Sequence, residues 1–128
     1  MKIFIITALL QFATHHLLGQ NSINNTKWDA RVTIPQAIYV RLEFARDTFF
    51  ITRLNGRVAE ESYFSQRNDS LLIRKLSGVT PCSTGYEVWY KIEWIENGTK
   101  FLFHNLNDTC RQRVNSWTSL RIDKKINK

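Results

Sequence analysis

The 128-residue chain is poor in the residues that usually announce a special architecture: two cysteines, two prolines, five glycines and one methionine. So few cysteines exclude a disulfide-dense scaffold, and so few prolines and glycines exclude collagen-like repeats and low-complexity linkers. Long apolar runs are missing too. The longest, residues 3–10, falls well short of the roughly 20 residues that a membrane-spanning helix needs. Histidine is confined to His15, His16 and His104, with no Cys or second His at ligand spacing, so no metal site is expected. No serine lies in a nucleophile-elbow context and no glycine-rich phosphate loop is present. Neither a catalytic group nor a cofactor is therefore expected, and the reading is of a non-enzyme.

What is present begins with an export signal. Lys2, the apolar run from Ile3 to Leu10, and a more polar stretch ending at the small residue Gly19 have the order of a signal peptide, with cleavage after Gly19. Residues 20–128 then form one domain, too short to divide, and the protein is expected to be secreted or periplasmic and monomeric. Lys2 is the only charge among the first nineteen residues, so the remaining chain carries 17 Lys and Arg against 11 Asp and Glu, a net charge of +6. Arg111, Arg113, Arg121, Lys124, Lys125 and Lys128 supply most of it against the single acid Asp123. Such a basic end is either a solvated tail or a surface for an anionic glycan or protein. Trp89-Tyr90-Lys91 resembles a stacking platform only superficially, and no nucleic-acid partner is expected of an exported chain.

The rest of the chain has the pattern of an all-β domain. Eight strands are predicted near residues 28–34, 38–45, 48–53, 57–64, 70–76, 86–95, 100–105 and 117–122. Ile38, Val40, Leu42 and Phe44 alternate with Tyr39, Arg41 and Glu43, as do Tyr86, Val88, Tyr90, Ile92 and Trp94 with Glu87, Lys91 and Glu93, which gives one apolar and one wet face per strand. Asn55-Gly56 and Asn97-Gly98 tolerate the positive φ of tight hairpins. A short helix from Thr109 to Ser116 is predicted, with Asp108 as its cap. Cys82 and Cys110 are the only thiols of an exported chain and are expected to pair. Eight antiparallel strands must close or stack to hide their edges. A small up-and-down barrel with one short C-terminal helix and one disulfide suits the successive hairpins best, and a Greek-key sandwich is the alternative.

Several segments together resemble small exported lipocalin-like (calycin-type) proteins of Bacteroidetes bacteria. They are Trp28 opening the first strand, the Ile34-Pro35 break, Asp69-Ser70-Leu71, Ser77 to Cys82, Gly85-Tyr86, and above all Asn107-Asp108-Thr109-Cys110-Arg111-Gln112-Arg113. The resemblance implies a barrel with a helix against one end and a pocket for a small apolar or amphipathic molecule. It also implies that Trp28 plugs the barrel beneath a late arginine, Arg113 or Arg121. The aromatic residues, Phe44, Tyr86, Tyr90 and Trp94 foremost, are candidate pocket lining, although a barrel of this size can also be filled by its own side chains. Glu60 and Glu61 point to opposite faces of one strand, so one of them enters the barrel. Four Asn-x-Ser/Thr sequons, at Asn24, Asn68, Asn97 and Asn107, would carry glycans in a eukaryotic secretory route and mean nothing in most bacteria.

Overall fold

The computed structural model describes residues 21–127; the signal-peptide reading and Lys128 lie outside them. Eight strands follow in sequence: β1 (Thr26–Val32), β2 (Ile38–Ala45), β3 (Thr48–Arg53), β4 (Val58–Arg67), β5 (Ser70–Gly78), β6 (Glu87–Ile95), β7 (Lys100–Asn105) and β8 (Arg121–Ile126). The helix α1 (Arg111–Thr118) connects the last two. All pairings are antiparallel and run in the order β7-β6-β5-β4-β3-β2-β1-β8. The first seven strands are thus one continuous meander. β8 returns to the free edge of β1 and lies against β7 without joining its ladder, so the sheet is a nearly closed barrel. Closure hides both edges from further strand pairing.

The period-2 alternation sets which side chains fill the barrel. Val40, Leu42 and Phe44 on β2, Leu71 and Ile73 on β5, and Val88, Tyr90 and Ile92 on β6 are buried. The hairpins turn where the sequence accepts left-handed backbone: Gly56 has φ +85°, and Asn68 and Asn97 have φ +54° and +57°. Gly78 is required for a different reason. A Cβ there would lie 2.3 Å from the carbonyl oxygen of Ala59 and 2.7 Å from the Cα of Glu60, because a register shift between Glu61 and Ser62 presses β4 and β5 together.

Three expectations are corrected. Trp117 belongs to α1 and not to β8, which begins at Arg121. Its four-residue spacing from Arg113 places both buried residues of the helix on one face. The Trp117 ring packs against Phe49, Tyr90 and Phe103 at centroid distances of 5.6, 5.0 and 5.3 Å. Cys110 rather than Asp108 occupies the cap position of α1, while the Asp108 carboxylate accepts the Cys110 N–H at 2.9 Å. Tyr86 precedes β6 and is 70 % exposed, so the inward row of that strand starts at Val88.

Candidate functional site

The meander gives the barrel two unlike ends. One end carries the turns after β2, β4 and β6, where Arg46, Asp47, Asn68, Glu96 and Asn97 are all exposed. Trp28 closes the interior at this end. It is 1 % exposed, meets Phe101 edge-on at 4.9 Å, and donates its indole N–H to Thr26 Oγ1 at 2.7 Å. The plug predicted for Trp28 is therefore core, but its covering cation is Lys125, whose Nζ lies 5.6 Å from the ring centroid. Antiparallel register is the reason: Trp28 faces Lys125 across the β1–β8 ladder, whereas Arg121 faces Arg31, and Arg113 sits on α1. Both predicted arginines are at the opposite end of the barrel.

That opposite end holds α1, the β1–β2 connection, the β3–β4 turn and the β5–β6 loop. The disulfide Cys82–Cys110, with Cα atoms 6.1 Å apart, ties the β5–β6 loop to the start of the helix. Beside the helix lies a cavity of about 360 Å³. Val40, Leu42 and Ile51 form its floor, Trp117 of α1 and Leu120 just beyond the helix the facing wall, and Ile34 and Val79 its exposed rim. A volume of this size is at the low end of small-molecule sites.

Two polar constellations border it. In the first, Glu60 is 1 % exposed inside the barrel. Ser62 Oγ donates to its Oε2 at 3.0 Å and Thr80 Oγ1 donates to its Oε1 at 2.6 Å. Lys75, 3 % exposed, donates its ammonium to the carbonyl oxygens of Thr80 at 2.6 Å and Cys82 at 3.0 Å. Thr80 thus bridges a buried anion and a buried cation that are not themselves in ion-pair contact, and the three groups stitch the loop over the barrel mouth. Of them, Glu60 and Thr80 line the cavity.

In the second, Asp108 and Arg113 form a buried ion pair through Arg113 Nε and Nη2, the latter 2.9 Å from Oδ1, and Tyr90 donates its hydroxyl to Asp108 Oδ2 at 2.6 Å. Burial pushes the Asp108 carboxyl up, but hydrogen bonds from Arg113, Tyr90 and the Cys110 N–H outweigh it and hold the group below its ordinary value. Burial lowers Arg113, which the Asp108 contact more than reverses. Tyr90 is driven well above the ordinary phenol range by burial and then by Asp108. All three groups stay in their usual charge states at neutral pH, as befits a structural clasp between β6 and α1.

The predicted pocket residues are not brought together. Phe44 and Tyr90 are fully buried among core side chains, Trp94 is half-buried near Trp28 and Phe101, and Tyr86 is in solvent. None of the four lines the cavity. The larger hollow at the closed end, about 480 Å³, is bordered by Asn21, Arg46, Asp47 and Gln66. There the Gln66 side chain is already occupied, accepting the Ile23 N–H and donating to the Asn21 and Asn68 carbonyls.

The basic C-terminal cluster is likewise divided. Arg111 and Arg121 lie at the cavity end, Lys124 and Lys125 on the far half of β8. His104 pairs with Glu93 on the exposed surface, and no group of metal-ligating side chains occurs among the described residues. All four sequon asparagines are exposed, and the Asn107 side chain accepts the Trp89 N–H at 2.7 Å. Each polar constellation was legible only in part: the alternation of Glu60 and Glu61 announced one inward carboxylate, and the spacing Asp108-x-Cys110-x-x-Arg113 marked the second, but neither signal announced the partners Thr80, Lys75 and Tyr90.

The chain matches no protein-family model, no curated protein and no solved structure.

Proposed function

We propose that the protein is an exported, non-enzymatic, lipocalin-like binding protein that holds a small amphipathic molecule in the cavity beside α1. The observation that carries this reading is the apolar cavity of about 360 Å³ with the buried Glu60 carboxylate at its wall. The apolar body of the ligand rests on Val40, Leu42, Ile51 and Trp117, and a hydrogen-bond donor on it reaches Glu60, whose oxygens have further lone pairs to offer. The nearly closed barrel supports the calycin-type likeness, and the disulfide suits an oxidising compartment. No helix among the described residues is long and apolar enough to cross a membrane.

Titration with a fluorescent alkyl probe and with heparin across a salt series tests it. Apolar burial is nearly indifferent to salt, whereas binding through surface cations weakens as the screening length shrinks from about 10 Å at 0.1 M to about 3 Å at 1 M. The expected result is saturable, salt-independent probe binding that Ile38→Trp, which fills the cavity from a half-buried position, weakens with little change in melting temperature. Heparin binding without probe binding would overturn the reading in favour of an anionic-glycan module, and so would probe binding that ignores Ile38→Trp.

A further inference from the structure

The apolar side chains that the barrel leaves in solvent are not scattered. Eight large ones are exposed among the described residues, and all lie at the cavity end. Six sit in its connections or directly beside them: Ile34, Leu54, Val58, Val79, Tyr86 and Leu106. The other two are on the adjoining ends of β2 and β5. Leu54, Val79 and Tyr86 are 76 %, 78 % and 70 % exposed. Scattered apolar residues on a surface need no explanation, but a ring of them confined to one face marks an interaction site.

Charge at the same end narrows the partner. Arg53 and Arg57 flank the β3–β4 turn, Arg111 opens α1 and Arg121 opens β8. All four are exposed and none takes part in an ion pair among the described residues. The exposed acids near them are engaged, Glu87 by Arg74 at 3.4 Å and Asp123 by Arg31 at 3.0 Å. Apolar tips interleaved with unpaired arginines suit an interface that is apolar within and anionic at its surface. The cavity reaches solvent inside this same ring, through Ile34 and Val79. We infer that the cavity end of the barrel docks on anionic lipid membranes, with the loop tips in the headgroup boundary and the arginines on lipid phosphates, so that the cavity opens toward the bilayer.

Co-sedimentation of the purified protein with phosphatidylcholine vesicles, with and without phosphatidylglycerol, tests this. The expected result is partitioning to the anionic vesicles. Arg57→Ser with Arg111→Ser lowers it by about fivefold per arginine. Leu54→Ser with Tyr86→Ser lowers it at least roughly tenfold. Neither pair lines the cavity as an apolar wall, so alkyl-probe binding persists in both variants, which separates failure here from failure of the cavity reading. Lys124→Ser with Lys125→Ser, at the other end, serves as the comparison. Four results would overturn the inference: no partitioning at low salt, partitioning that the loop variants leave unchanged, as insertion of the apolar run at residues 3–10 would produce, a loss as large for the Lys124 and Lys125 pair, or loop variants that change only the mass of the protein in solution, which would make the ring a protein interface.

Discussion

Removing the Asp108 carboxylate should be among the most damaging single changes this domain can suffer. The side chains of Asp108 and Arg113 are 1 % and 5 % exposed, so Asp108→Ala strands a guanidinium in the barrel mouth and leaves the Tyr90 hydroxyl without its acceptor. Breaking a buried pair from one side costs about 3–5 kcal/mol. Against a total stability of roughly 5–15 kcal/mol, that is a large share. At roughly 4–6 °C per kcal/mol for a domain of this length, the melting temperature should fall by about 12–30 °C. The penalty comes from the stranded charge rather than from lost attraction. Replacing both partners, Asp108→Ala with Arg113→Met, should therefore recover much of the loss, a non-additivity that urea denaturation followed by tryptophan fluorescence can measure. The pH dependence has a definite sign. Asp108 titrates lower in the folded chain than its ordinary value of 3.8, so its contribution is complete above about pH 4 and disappears as acid protonates it at still lower pH. Asp108→Asn should flatten that part of the acid limb. A loss under about 1 kcal/mol for Asp108→Ala, or a double variant as unstable as the single losses added together, would refute the stranded-charge reasoning.

Two further outcomes follow from the core and the disulfide. Trp28→Ala removes a ring that is 1 % exposed and should cost about 3–5 kcal/mol, whereas Lys125→Ala gives up only a surface cation over that ring, about 0.5–1 kcal/mol; thermal melts of both, with similar losses, would show that the ring is not core. Cys82→Ala with Cys110→Ala opens a 28-residue separation and should lower stability by roughly 3–4 kcal/mol on the chain-entropy model, and the wild type should show no reactive thiol when unfolded without reductant.

The sequence by itself determined the all-β class, the first seven strands to within a few residues, most of their inward rows and the hairpins. These rest on alternation and on residues such as Asn97-Gly98 that tolerate left-handed backbone, all local properties. The disulfide was legible as well, because Cys82 and Cys110 are the only two cysteines of the chain and have only each other to pair with. Only the tertiary structure decided that β8 returns to β1 and thereby sets Lys125, not Arg113 or Arg121, over Trp28. Partners across a ladder depend on register and bulges that no single strand encodes. The same holds for Trp117, whose spacing satisfies a helix face and a strand end alike until the Phe49, Tyr90 and Phe103 rings select the helix. The cavity was illegible because its apolar walls come from strands and helix far apart in sequence. The predicted aromatic lining was instead spent on the core, since Phe44 and Tyr90 gain most by being buried completely. Glu60 enters the barrel in step with Ser62 and Phe64, but its partner Thr80 comes from the β5–β6 loop, and Asp108 finds Tyr90 because Asn105, three residues before it, faces Tyr90 across the β6–β7 ladder. Chain order hides both contacts, and packing makes them.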